Sequence, residues 1–291
     1  PGLIVAPGVA DALNARMVAA EGFQAVYMTG GGTSAVRLGM PDVGLLTLPE
    51  MVDNAGRIAD ASGLPVISDA DTGYGNAINV LRTVRSYEKA GVAAIHIEDQ
   101  NLPKRCGHLS GKSLVTTTEM SDKIRAACDA RVDDDFVIIA RTDALAVEGL
   151  ERALDRARAY QEAGADMVFV EAPSTIEDLR AIPAALEVPT LFNMASSGKT
   201  PFLHRDRGAG LQARDLSELR DPLGHSGGAA FPARAQGRRH GGPLARVHGD
   251  LRRMVRHRRH GRNQVARGAL RHARGPAREL LIPSTRKIRN R

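Results

Sequence analysis

The stretch Lys104-Arg105-Cys106-Gly107-His108 sets a thiol between two cations and an imidazole, shortly after the acidic pair Glu98-Asp99. A free cysteine titrates near about 8.5, and adjacent positive charge lowers that value toward neutrality, where the side chain can give or take a proton. Upstream, Asp69 and Asp71 close another apolar run, so Asp69, Asp71 and Glu98 end strand-like segments on the side of the cysteine loop. A donor set made only of carboxylate oxygens is hard and selects Mg²⁺, with Mn²⁺ as a substitute. Asp69 by itself suits turn or helix capping as well as metal binding. The spacing of the pair adds weight: alternate strand residues share a face, and two carboxylates side by side repel unless a cation joins them.

These residues need a scaffold that brings distant segments to one place. Short runs rich in Val, Ile and Phe occur at 3–6, 24–29, 66–71, 93–98, 136–141, 167–171 and 190–193. Between them the spacing predicts helices over 11–21, 48–61, 77–90, 118–130, 150–163 and 176–186, several of them stopping at Gly22, Gly63, Gly91 or Gly164. The alternation is that of βα units around a parallel sheet, and it predicts an α/β fold, a (β/α)8 TIM barrel. A polar residue closes nearly every strand, and in a barrel that end is the active-site face. Thr29, Asp69, Asp71, Glu98, Arg141, Glu171 and Asn193 then converge on one mouth. An open doubly wound sheet would carry a GxGxxG fingerprint after its first strand, which is lacking. The run Gly30-Gly31-Gly32 reads instead as a close approach of backbone to a carboxylate. Blander readings apply to some residues. Arg141 either pairs with Asp143 or meets an anionic substrate, Cys128 sits among helix alanines as core, and His96 between two isoleucines reads as a satisfied structural histidine.

A length of 291 residues suits one catalytic barrel, typically about 250 residues. The two cysteines are too few for a disulfide framework and suit a reducing, cytoplasmic setting, and neither a signal pattern nor a membrane-length apolar run is present. The net charge of +7 averages two unlike parts, −9 over residues 1–203 and +16 over residues 204–291. Seven of the nine histidines and no tyrosine fall in the second part.

Taken together, the motifs resemble the isocitrate lyase and phosphoenolpyruvate mutase superfamily, in its 2-methylisocitrate lyase-like branch. The resemblance covers residues 3–203. It rests on Tyr27-Met28-Thr29-Gly30-Gly31-Gly32, Pro41-Asp42, the block from Asp69 to Gly75, His96-Ile97-Glu98-Asp99-Gln100, Lys104 to His108, Ala140-Arg141-Thr142-Asp143, Glu171-Ala172, Asn193-Met194 and Gly198-Lys199-Thr200-Pro201. It implies a barrel, a Mg²⁺ ion, a homotetramer and carbon–carbon cleavage of a 2-hydroxy di- or tricarboxylate. On that reading Asp71, with Asp69, Glu98 and Asp42, holds the metal. Thr29, Gly30 and Gly31 meet the keto-acid carboxylate and Arg141 grips it. Cys106, flanked by Arg105, protonates the carbanion left after cleavage. Glu171, Asn193 and Gly107 complete the pocket, and Tyr27 and His108 tune it, although Tyr27 and Met194 by themselves read as packing residues. Relatives with the same loop also act as oxaloacetate-cleaving enzymes, dimethylmalate lyases or carboxyphosphonoenolpyruvate mutase.

After Leu203 the Ile/Val pattern stops, no eighth strand is recognisable, and Arg, Gly, His and Pro dominate. The chain therefore reads as a catalytic domain, 1–203, and a basic tail, 204–291, whose composition is that of a GC-rich gene translated out of register. Sequencing the encoding DNA is expected to reveal an adjacent frame with an Ile/Val-rich strand at this point; its absence would defeat the idea. Arginine clusters such as Arg252-Arg253 could neutralise phosphates, yet no recognition motif or stacking aromatic accompanies them, so nucleic acid is not the expected partner.

Overall fold

The computed structural model describes residues 4–107 and 111–194. His108, the tail 204–291 and the segment in which an eighth strand was sought lie outside the described residues. Strands β1 (Gly8–Val9), β2 (Val26–Met28), β3 (Val66–Asp69), β4 (Ala94–Glu98), β5 (Val137–Thr142), β6 (Met167–Val170) and β7 (Thr190–Leu191) form one sheet. They pair in chain order, every pair parallel. Helices α1 (Ala12–Ala20), α2 (Gly30–Leu38), α3 (Leu48–Ser62), α4 (Ala77–Lys89), α5 (Thr117–Ala130), α6 (Leu145–Glu148), α7 (Leu150–Glu162) and α8 (Ile176–Ala184) connect them. An order that never reverses is what a barrel requires, and it excludes the switch point of a doubly wound sheet. No helix among the described residues is long and apolar enough to cross a membrane.

Local chemistry sets the helix ends. Asp11, Asn76, Thr116 and Thr175 accept hydrogen bonds from the first-turn N–H groups of α1, α4, α5 and α8. Gly63 ends α3 in the left-handed conformation. Two expectations shift. The first strand lies at Gly8–Val9 rather than 3–6, because its ladder pairs Gly8 with Tyr27; Ile4 and Ala6 instead pack against an interior apolar cluster. The other is α2, which was not expected.

The register sorts side chains into two faces, as strand alternation requires. One face carries Ile95, Ile97, Ile138, Ala140, Val168 and Val170, buried under the helices. The other carries Ile67, Ala94, Val137, Ile139 and Phe169, and above this apolar floor the same face turns polar. Asp69 is in register with His96, and Glu98 with Arg141, which is in register with Phe169. The three central strands β3, β4 and β5 thus deliver Asp69, Glu98 and Arg141 to one end of the sheet.

Candidate active site

The ladder explains the first contacts. Arg141 Nε lies 3.4 Å from Glu98 Oε2, its guanidinium stands 5.1 Å from the centre of the Phe169 ring, and His96 Nε2 is 3.6 Å from Asp69 Oδ1. Arg141 is 6 % exposed and its fork is closed on Asp143, through Nε at 3.1 Å and a terminal nitrogen at 3.3 Å. Glu171 is 3.9 Å away on another side. The ion pair with Asp143 is thus present, and Arg141 stands among the acids of the sheet end.

Asp69 and Asp71 do meet, though not by strand alternation. β3 ends at Asp69, and Asp71 stands beyond it in the left-handed region, at φ 46°, where its backbone N–H donates to Asp69 Oδ1 at 2.9 Å. A short polar side chain tolerates that backbone conformation better than most, and such strain persists only where the surroundings hold it. Burial and the Asp69 carboxylate beside it raise the pKa of Asp71. Into this acidic pair comes a group that reads in the sequence only as a flanking charge. Lys104 is 2 % exposed, with its ammonium 2.5 Å from Asp42 Oδ1 and 2.6 Å from Asp71 Oδ1. Lysine is rarely buried unless paired, so a sequence pattern marks it as surface.

The triple glycine makes a close approach to a carboxylate, and that carboxylate is Asp69 of this chain. Gly30 N–H donates to Asp69 Oδ2 at 3.2 Å, and a Cβ at Gly30 would lie 2.3 Å from that oxygen. Gly30 to Gly32 open helix α2, with Thr29 as its cap, accepting from Gly32 N–H at 3.0 Å. Gly31 faces Asp42, the Oδ2 of which lies 3.7 Å from where its Cβ would be. Gly30, Gly32 and Thr33 N–H are thereby engaged within the protein, which leaves the hydroxyl proton of Thr29 and the Gly31 N–H for a ligand.

Tyr27 and His96 stack with ring centroids 5.6 Å apart, and Tyr27 Oη lies 2.5 Å from His96 Nε2. Burial pushes the imidazole down to about 4, so it is neutral near pH 7, and burial with the nearby Asp69 raises the Tyr27 phenol. His96 is satisfied at one nitrogen only, because Nδ1 has no hydrogen-bond partner among the described residues. Glu98 is 0 % exposed, its pKa is raised by burial, and neither of its carboxylate oxygens receives a hydrogen bond. Cys128 is half-buried, donates to Gly164 O at 3.3 Å, and is pushed up to about 11 by burial, in keeping with a packing role.

The cysteine loop lies over this ensemble. Gly107 packs so closely that a Cβ would fall 2.4 Å from a terminal nitrogen of Arg141 and 2.6 Å from Glu171 Cγ. Cys106 is half-buried beside it. Arg105 is held through its backbone by Gln100. Asn193 is half-buried just past β7. Of the candidates, the structure gathers Tyr27, Thr29, Gly30, Gly31, Asp42, Asp69, Asp71, Glu98, Gly107, Arg141 and Glu171 through linked contacts. It joins to them Lys104, Gln100, Lys112, Asp99 and Asp143. Asp99 is the hub behind the site, accepting from Thr142 Oγ1 at 2.7 Å, Tyr160 Oη at 2.8 Å and Asp143 N–H at 3.0 Å.

The donor chemistry suits a divalent cation. An ammonium already stands between two of the carboxylates, and neither oxygen of fully buried Glu98 receives a hydrogen bond. Among the described residues no three Asp, Glu, His or Cys side chains form a ready chelating group, so the fit is one of donor type.

A family model described as phosphoenolpyruvate phosphomutase matches residues 1–213. A 2,3-dimethylmalate lyase of Eubacterium barkeri is 55 % identical over 201 residues, covering 69 % of this chain and 70 % of that one. A 2-methylisocitrate lyase of Salmonella typhimurium is 51 % identical over 200 residues, 68 % of each chain. The structure of an oxaloacetate acetylhydrolase in complex with the inhibitor 3,3-difluorooxalacetate superposes with a TM-score of 0.67 at 49 % identity, covering 69 % of each.

Proposed function

The chain belongs to the phosphoenolpyruvate mutase/isocitrate lyase superfamily and is a carbon–carbon lyase of it, and on that premise we propose that it cleaves a 2-hydroxy di- or tricarboxylate of the 2-methylisocitrate or 2,3-dimethylmalate type. The seven parallel strands are those of the family's barrel. The observation that carries the substrate class is the concentration of charge at one sheet end: a buried guanidinium and a buried ammonium set among acids, under a loop that bears a thiol.

Cleavage removes a proton from the hydroxyl, breaks the neighbouring carbon–carbon bond, and leaves the electron pair on a carbon next to the second carboxylate. The keto acid departs and the carbanion takes a proton. Asp42, Asp69, Asp71 and Glu98 would hold Mg²⁺, which when bound supplies positive charge to the substrate's hydroxyl and carboxylate oxygens. The same acidic ring offers the acceptor for the hydroxyl proton. Thr29 and the Gly31 N–H, at the N-terminus of α2, would orient the keto-acid carboxylate, aided by the favourable dipole there. Arg141 would hold a carboxylate with the guanidinium N–H groups that Asp143 leaves free. Cys106 would give its thiol proton to the carbanion on the face that the loop covers. Tyr27, backed by His96, would keep a hydroxyl at the site edge, and Gly107, Glu171 and Asn193 would shape it.

Purified full-length chain is expected to release pyruvate or glyoxylate from one of 2-methylisocitrate, 2,3-dimethylmalate, isocitrate and oxaloacetate with Mg²⁺, and to fall to background with EDTA. Silence across the panel from folded protein would sink this reading, and full activity in EDTA would remove the metal from it. The competing activity with a specific observation behind it is oxaloacetate hydrolysis, because the oxaloacetate acetylhydrolase superposes as well as a lyase does; oxalate as the product would select it.

A further inference from the structure

Two buried polar side chains hold the cysteine loop at the peptides on either side of the thiol. The base of the loop is a short antiparallel contact: Gln100 bridges Leu114, Asn101 N–H donates to Ser113 O at 2.8 Å, and Val115 N–H donates to Asp99 O at 2.9 Å. From that base the Gln100 side chain, in a residue 1 % exposed, turns into the loop. Its Nε2 donates to Arg105 O at 2.9 Å and its Oε1 accepts from Arg105 N–H at 2.9 Å, so one amide replaces both backbone partners of a strand residue. On the other side of Cys106 the Lys112 ammonium donates to Gly107 O. Lys112 also pairs with Asp143 Oδ1 at 2.9 Å, both side chains being almost fully buried. Asp143 in turn closes on Arg141 and is fixed through its N–H by Asp99.

We propose that Gln100 and Lys112 are positioning residues for the reaction: a two-point clasp that fixes the backbone before and after Cys106, with Lys112 joining that clasp through Asp143 to the guanidinium that holds substrate. The proposal rests on the reading of Cys106 as the proton donor. A neutral amide alone could hold Arg105, and a bulky apolar residue alone could fill the Lys112 site. The arrangement instead spends a buried cation on one loop carbonyl and on the carboxylate that also sets Arg141. A charged hydrogen bond is stiffer and stronger than a neutral one, and reacting groups misplaced by about 1 Å lose on the order of 10²-fold in rate. Thiol and guanidinium are thereby referred to one rigid part, the Asp99–Asp143 segment, rather than placed independently.

The test uses the full chain carrying Cys128→Ser, so that Cys106 is the one thiol left to report. Gln100→Ala and Lys112→Met are compared with Lys112→Arg, which keeps the charge and the donors. Iodoacetamide should alkylate Cys106 roughly fivefold faster or more in Gln100→Ala and in Lys112→Met, the population change expected from losing one such hydrogen bond. In the same two variants kcat should fall by about 10- to 100-fold with KM changed far less. Lys112→Arg should recover most of both. Cooperative thermal unfolding of each variant confirms that it is folded, and Gln100→Ala, which leaves every buried charge in place, keeps the test valid if Lys112→Met does not fold. Alkylation and kcat both within twofold of the parent in folded Gln100→Ala would overturn the clasp. Alkylation needs no turnover, so a chain silent on every substrate still decides whether the loop is clasped. An unaffected rate in Cys106→Ser would instead strike at the proposed chemistry.

Discussion

Replacing Cys106 by serine is expected to slow keto-acid release by about 10²- to 10⁴-fold, the range that a positioned proton donor commands, while leaving substrate affinity and folding close to those of the parent. Serine is nearly isosteric, but its hydroxyl is a far weaker acid than a thiol, so the difference falls on the proton-transfer step alone. Cys106 sits half-buried next to Gly107, which touches Arg141 and Glu171. On the proposed reading, a proton given there arrives near the carboxylate that the guanidinium would hold. Single-turnover kinetics with a binding measurement for the same variant make the check. A serine variant that turns over at the parental rate would show that the proton comes from elsewhere.

The second large effect is on stability. Arg141→Met is expected to lower the melting temperature by on the order of 10 °C, because breaking a buried ion pair from one side costs about 3–5 kcal/mol in a domain of this size. The guanidinium is in contact with Asp143, Glu98 and Glu171 and favours the ionised form of Asp143, so its removal leaves that carboxylate buried beside a thioether. Arg141→Lys keeps the charge but cannot reproduce the two-nitrogen grip on Asp143, so it should recover part of the stability and little of the activity. Calorimetry of the three proteins decides it; a methionine variant melting within a degree or two of the parent would show that these carboxylates are neutral or hydrated in the folded chain.

The barrel was legible because its signals are local and repeated. Seven apolar runs alternate with six stretches of helical period, four of which stop at a glycine, and each strand pairs only with its neighbours in the chain. Helix α2 escaped because three successive glycines are poor helix formers. What stabilises it is not periodicity but the cap at Thr29, the left-handed Gly39 at its end, and the hydrogen bond from Asn54 to Thr33, 3.1 Å, across to α3. The strand-end acids were legible as residue types. Their grouping was read for a partly mistaken reason, since Asp71 reaches Asp69 through a left-handed turn rather than along a strand. Lys104, Gln100 and Lys112 were not legible as site groups. Long polar side chains are marked for the surface by every sequence scale, and only a loop folded back over the sheet end buries them. Asp143 was visible as a neighbour of Arg141, but its pairing with Lys112 depends on chain 31 residues away.

Glu98 lies at the centre of the site with neither oxygen hydrogen-bonded and an arginine nitrogen at 3.4 Å as its ion-pair partner among the described residues. Burial raises its pKa, so the carboxyl costs stability chiefly as a buried polar group without hydrogen bonds, and an apolar side chain of similar volume would remove that cost while Asp143 and Glu171 remain as partners of Arg141. On the proposed reading, in which Glu98 helps to hold the metal, heat tolerance and turnover therefore pull in opposite directions at this residue. A lineage or a laboratory selection that rewarded thermal endurance alone would be drawn to discard this carboxylate early, arriving at a sturdier barrel with its chemistry extinguished.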